Sequence, residues 1–194
     1  MSFLQTMTPG WIYEVVVTTI RPCGFSAAPF GIWTDDGSTL RAALFKGASS
    51  LRSILEQRRF IVNFVDDPLI LHRALHHRDT LDFETLADGP AGGMPVLAGV
   101  GSWVAAGLVG QEDQGKTILL EAQILAEGGR PPVFINRARG LFLESLVLST
   151  RRQLLGRAAE DQLLENARVI AKVAPGSPYE QAMNELLALA PDEK

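Results

Sequence analysis

Two hydroxyls, a glycine and flanking cations converge at Phe45-Lys46-Gly47-Ala48-Ser49-Ser50-Leu51-Arg52, where a β-rich run gives way to a helical one. A helix start carries amide hydrogens with no intrahelical acceptor, and a phosphate placed there would also meet the serine hydroxyls and a Lys or Arg charge. The chemistry this points to is recognition of a phosphate-bearing cofactor, with Lys46, Gly47, Ser49 and Ser50 lining the pocket. The same pattern has a plain structural reading, in which Ser49 or Ser50 caps the helix and Lys46 is a solvated charge. The residues alone leave both open.

Other reactive side chains are sparse. His72, His76 and His77 are the three histidines, and His72 and His76 stand four apart, as two metal ligands on one helix face would. No HExxH and no third-ligand pattern accompanies them, so a polar helix surface and no metal is expected. Cys23, the single cysteine, lies in a turn between Pro22 and Gly24 without a neighbouring His or second Cys to activate it, and reads as a bystander thiol. GxSxG, Walker A and GxGxxG are absent, which removes the sequence basis for hydrolase, NTPase and Rossmann readings. Arg137, Glu144 and Arg151 recur every seven residues and form one charged stripe on an otherwise apolar helix, read as an ion-pair ladder or subunit contact in preference to an anion site. No acid, base or nucleophile can be named, so catalytic residues stay unassigned.

The elements that must position these groups fall into two stretches. Trp11 to Ile20 is dense in β-branched and aromatic residues and ends at the Arg21-Pro22-Cys23-Gly24 turn. Ser26 to Trp33 returns as a second strand in which Pro29, having no N–H to donate, marks an edge or a bulge. Leu40–Lys46, Arg59–Val65, and a hairpin of 101–110 with 117–126 complete six strands, enough for a small antiparallel barrel. A short helix spans 48–58, with Leu51, Ile54 and Leu55 inward; another opens at Asp67-Pro68, with Ile70, Leu71, Ala74 and Leu75 as its buried face. Residues 79–95 show no period and read as a loop with a turn of helix. After Gly128-Gly129-Arg130-Pro131-Pro132 the period becomes helical. Three helices are expected: 136–155 ended by Gly156, 158–174 ended by Pro175-Gly176, and one opened by a Ser177-Pro178-Tyr179-Glu180 capping box.

The chain has 194 residues, 46% hydrophobic and 21% charged, the balance of a globular protein with a real core. A net charge of −4 leaves no excess for gripping phosphodiester backbones, so nucleic acid is not an expected partner. One cysteine excludes an internal disulfide, and with no basic, apolar leader at the start the expectation is a reducing cytoplasm. No uninterrupted apolar run reaches the ~18 residues of a membrane span, so a membrane role is not expected.

Taken in order, the Thr18-Thr19 strand, the turn Arg21 to Gly24, Ser26-Ala27-Ala28-Pro29-Phe30-Gly31-Ile32, the segment Lys46 to Ile54 and the strand Phe60 to Asp67 resemble the FMN-binding split-barrel flavoproteins. Within these the whole chain is most similar to the DUF447 branch, which adds a C-terminal helical part; Asn136-Arg137-Ala138 to Arg151 also looks like that branch. The resemblance implies that Ala27, Ala28, Pro29, Phe30 and Gly31 run beside the flavin ring, small enough for backbone groups to reach its edge. It further implies that Ser50 holds the FMN phosphate in a pocket with Lys46, Gly47 and Ser49, and that Asn63 lies on a strand facing the cofactor. Ser50 stands where that family more often has Thr, which keeps the hydroxyl.

The expectation is therefore an α+β protein: an antiparallel six-stranded split β-barrel over 1–128 and a three-helix region over 129–194. Its expected function is FMN-dependent oxidoreduction of a small-molecule substrate by a homodimer. The alternative is a non-catalytic holder of FMN or a pterin-like ligand, linked through the resemblance to tetrahydromethanopterin-type one-carbon metabolism.

Overall fold

The computed structural model describes residues 2–87 and 89–188, so Asp88 and the last six residues of the expected helical region lie outside the described residues. These fall into two compact units, one through Pro9 and Tyr13–Ile135, the other Gly10–Ile12 with the chain from Asn136 onward.

The first unit is a closed, wholly antiparallel barrel. Its strands are β1 (Tyr13–Arg21), β2 (Gly24–Trp33), β3 (Thr39–Phe45), β4 (Arg59–Phe64), β7 (Ser102–Asp113) and β8 (Thr117–Gly129), in the order β1-β2-β3-β8-β7-β4. Two short strands, β5 (Phe83–Thr85) and β6 (Pro95–Leu97), pair as a separate ribbon. Val15, Val17, Ile32, Leu40, Phe60, Val62, Val104 and Leu120 are all buried, as alternating strand positions of a closed sheet require.

Closure at β2 and β3 is partial. The two strands pair only at Ile32↔Ala42 and Trp33↔Arg41, while β2 pairs with β1 along its whole length, Tyr13↔Ile32 to Arg21↔Gly24. Pro29 thus sits opposite Val16 with no described strand on its other side, where a residue without an N–H costs the ladder nothing. The β2–β3 connection is held by Asp36, whose Oδ1 accepts the amides of Ser38 (2.8 Å) and Thr39 (2.7 Å), while Thr34 Oγ1 accepts that of Gly37 (2.9 Å).

Several expectations are corrected. Residues 79–95 are more than a loop: Arg78–Thr80 is a 3₁₀ turn, and the β5–β6 ribbon follows. Strands of three residues carry too short an alternation to read, and β6 is buried through the barrel, Val96 packing with Ile61 and Ala105 while β5 stays largely exposed. Helix α1 (Ser49–Gln57) is capped by neither serine. Ala48 holds the N-cap position with extended backbone, which places Ser49 and Ser50 in the first turn. Helix α2 (Pro68–His76) is capped by Asp67, whose Oδ1 accepts the Leu69 amide at 2.9 Å, but only Ala74 is buried on it and Leu75 is 52% exposed.

The second unit holds α3 (Ala138–Ser149), α4 (Arg152–Leu155), α5 (Arg157–Val173) and α6 (Pro178–Ala188). The expected single helix over 136–155 is broken at Thr150 and Arg151; Gly156, with φ +55°, ends its second piece. Ala138, Leu163, Ile170, Val173, Met183 and Leu186 form the core. The break leaves Arg152 buried, paired with both carboxylate oxygens of Glu160 (2.8 and 3.0 Å) and donating to the Leu186 carbonyl at 3.1 Å. At α6 the Ser177 hydroxyl accepts the Glu180 amide at 3.1 Å, and the Glu180 carboxylate reaches one residue past the box to the Gly176 amide at 2.6 Å.

Candidate functional site

The start of α1 is where unsatisfied polar groups gather. Ala48 donates to the Phe45 carbonyl (2.9 Å) and Leu51 to that of Ala48 (3.1 Å), whereas the amides of Ser49 and Ser50 have no acceptor among the described residues. Ser50 is 6% exposed and its hydroxyl also lacks a hydrogen-bond partner there. Free amides beside a hydroxyl at a helix start are a ready position for an anion.

Strand β1 brings a cation to the same place. The Arg21 guanidinium donates to Ser49 Oγ at 2.8 Å. Thr19, two residues earlier and therefore on the same strand face as Arg21, is 1% exposed with a hydroxyl that has no partner. Sequence reasoning missed both residues. The available signal was the Thr19-x-Arg21 alternation just before Pro22, but its proximity to α1 depends on how the barrel is closed.

Lys46 takes a different role. Its Nζ lies 2.7 Å from Asp113 Oδ2 at the far end of β7, and the Lys46 hydrogen bond, followed by the Gly115 amide, holds the Asp113 carboxyl below its usual range. Arg21 is thus the cation that contacts Ser49, while Lys46 is matched to a carboxylate. Gly47 is exposed and opens onto free space. Along α1 runs a shallow cleft of about 310 Å³ lined by Lys46, Leu51, Arg52, Leu55 and Glu56.

The remaining expected site residues lie along β1. Ala27, Ala28, Pro29, Phe30 and Gly31 stand opposite Thr18, Val17, Val16, Val15 and Glu14. On the other flank of β1, Asn63 of β4 stands opposite Val16, so Pro29, Val16 and Asn63 form one row. Asn63 is fully buried and fully bonded: Nδ2 donates to the Val16 carbonyl (3.0 Å) and Thr18 Oγ1 (3.1 Å), and Oδ1 accepts the Leu97 amide (2.9 Å). Thr18 in turn donates a short hydrogen bond to the Pro95 carbonyl. Asn63 therefore ties β1 and β6 together, and Ala27 packs with Val16, Val65, Ala74 and Leu97 beneath α2.

His72, His76 and His77 do cluster, with ring centroids 5.1 to 6.5 Å apart, but no three His, Cys, Asp or Glu side chains among the described residues are placed to hold a metal ion. No described helix is long and apolar enough to cross a membrane.

The family described as "Protein of unknown function (DUF447) N-terminal domain" matches residues 13–129. No curated protein matches by sequence. An FMN-bound protein of Methanosarcina mazei, also assigned to DUF447, is similar over 93% of this chain and 95% of its own, at 23% identity and a TM-score of 0.55. The NADH:FAD oxidoreductase of Streptomyces globisporus C-1027 is similar over 64% of this chain and 80% of its own, with 13% identity and a TM-score of 0.52. An FMN-binding protein of Thermus thermophilus, solved with p-hydroxybenzaldehyde, is similar over 61% of this chain and 71% of its own, with 16% identity and a TM-score of 0.51. The fold shared with these proteins is the flavin-reductase type of split barrel.

Proposed function

The chain belongs to the DUF447 family, and from that premise we propose that it binds FMN and uses it for oxidoreduction of a small-molecule substrate. The observation that carries this reading is the donor set at the α1 start, the Ser49 and Ser50 amides and the Ser50 hydroxyl, with the Arg21 guanidinium bonded to Ser49. Together they offer neutral donors and one positive charge, the composition of a phosphate site. Similarity to flavin-binding structures supports the same ligand.

In this reading Arg21, Ser49 and Ser50 hold the phosphate and Gly47 leaves room for it, with Lys46 at the rim. The Ala27/Thr18 pair lies three residues along β1 from Arg21, about 10 Å at strand rise, which gives room for the ribityl chain before Ala27 to Gly31 meet the ring. Asn63 positions β6 against β1 by its three hydrogen bonds. Bound FMN supplies hydride or electron transfer, and the protein supplies orientation and exclusion of water. A homodimer is the proposed assembly, because β2 from Gly24 to Gly31 has an edge without a described strand partner and edges of this kind are covered in stable proteins. The single cysteine favours a reducing cytoplasm as the place of action.

The test compares FMN with riboflavin, which carries the ring without the phosphate. Arg21→Ala with Ser50→Ala is expected to weaken FMN by roughly tenfold to a thousandfold while riboflavin affinity barely changes. Lys46→Ala, which breaks an ion pair to Asp113, should have a smaller effect. Equal loss of both ligands, or unchanged FMN affinity, refutes the phosphate assignment. NAD(P)H oxidation by the FMN-loaded protein then separates an oxidoreductase from a protein that only holds FMN or a pterin-like ligand of one-carbon metabolism.

A further inference from the structure

A second, smaller cleft opens in the first unit where α2 passes the chain that leaves β6. Its volume is about 110 Å³, and its most buried lining residues are Val65 and Leu97. Half-buried Ile70 and Leu81 also line it, while Arg73 of α2 and Asp82, just ahead of β5, reach it from exposed positions. The cleft is preformed: the Ala98 amide donates to the Asp82 carbonyl at 2.9 Å and the Val100 amide to the Leu97 carbonyl at 3.2 Å, which fixes the 97–100 loop against residue 82. The fold leaves the charges that share this cleft unused. Arg73 and Asp82 form no side-chain ion pair or hydrogen bond, with each other or with any other described residue, and the Gly99 amide has no acceptor among the described residues. The Thr80 hydroxyl, by contrast, is taken up by the His77 carbonyl at 2.7 Å.

We propose that this cleft binds a small zwitterion, a short-chain amino acid, with its carboxylate on Arg73 and its ammonium on Asp82. A guanidinium takes a carboxylate through two parallel N–H bonds, and the free Gly99 amide adds a neutral donor to the same cleft. Gly99 has φ +76° and open space where a Cβ would stand, so it presents backbone without a side chain in the way. A simple anion or a simple amine would leave one of the two charges without a partner, whereas a zwitterion answers both. Size sets the rest of the class. A cavity of about 150 Å³ admits benzene, so one of about 110 Å³ suits glycine, alanine or β-alanine and excludes amino acids with large side chains. Their short hydrocarbon part meets Val65 and Leu97. Exposed ion pairs are screened by water and salt, so saturation is expected in the millimolar range. The cleft lies wholly within the first unit, and its occupancy is independent of the flavin reading.

A titration of the whole chain, followed by the amide resonances of an isotope-labelled sample, tests it. Alanine should shift the Leu81, Ala98 and Gly99 signals along one saturable curve and leave those of α5 and α6 unmoved. Propionate, which lacks the ammonium, and ethylamine, which lacks the carboxylate, should each bind more weakly by about tenfold or more, and tryptophan should not enter. Arg73→Gln and Asp82→Asn should each weaken alanine by a similar factor. Arg73→Gln should also erase the difference between alanine and ethylamine, and Asp82→Asn that between alanine and propionate, a pattern that a merely structural role for either residue would not produce. Both side chains are exposed, so the folded spectrum is expected to survive each change. Absence of a saturable shift with every one of glycine, alanine and β-alanine, propionate or ethylamine binding as well as alanine, or unchanged alanine affinity in either variant overturns the proposal.

Discussion

Arg21 and Lys46 show how the same charge does different work according to its neighbours. Arg21 ends a strand whose face leads to α1 and is bonded to Ser49, whereas Lys46, three residues before Ser49 in sequence, is bound to Asp113. Asp36 is a further residue whose charge is used locally. The Thr39 and Ser38 amides hold its carboxyl well below the usual carboxylate range. A carboxyl depressed in the folded state adds stability that is present above its unfolded value, about 3.9, and is lost as pH falls through the folded value. Asp36→Asn should therefore lower the melting temperature at neutral pH, and the gap from wild type should narrow as the pH is taken below about 4. Thermal melts across that range decide it, and a gap independent of pH would mean that the carboxylate charge contributes nothing to the turn.

Among the elements, β1 is the one on which the site depends, because β2, β4, β6 and α1 all meet it. Asn63 is the joint: it reaches the Val16 carbonyl, the Thr18 hydroxyl and the Leu97 amide from a fully buried position. Asn63→Ala leaves those groups unpaired in the interior and is expected to cost about 2–4 kcal/mol, measured by urea denaturation. If Asn63 acts on the ligand by placing β6, the refolded variant should lose affinity for FMN and riboflavin alike. That pattern differs from the phosphate-selective loss expected at Arg21 and Ser50.

For the whole molecule, the proposed site would hold a single phosphate group, and GxGxxG, the fingerprint that would hold a dinucleotide, is absent from the sequence. Native mass spectrometry of the purified protein is expected to show one FMN per chain; stoichiometric FAD would contradict the proposed site. The 21.1 kDa chain is also expected to run as at least a dimer, since the β2 edge invites a second copy.

Sequence alone determined the features that depend on local pattern. The six barrel strands were legible from β-branched runs between Gly and Pro turns, the Asp67-Pro68 helix start from its capping chemistry, and the switch to helices after residue 128 from the change of period. The serine-rich helix start was legible as a helix N-terminus for the same reason, because it follows from local pattern, and free amides belong to any such terminus. Tertiary structure decided what depends on contacts distant in sequence. Arg21 reaches α1 only because the barrel brings β1 beside it, and Asp113 claims Lys46 across 67 residues. The β5–β6 ribbon was illegible because three-residue strands have no readable alternation and are held by the barrel wall. The N-cap shifted from the serines to Ala48 because the chain leaving β3 turns one residue earlier than side-chain preference suggests, which frees the Ser50 hydroxyl inside the fold instead of engaging it as a cap.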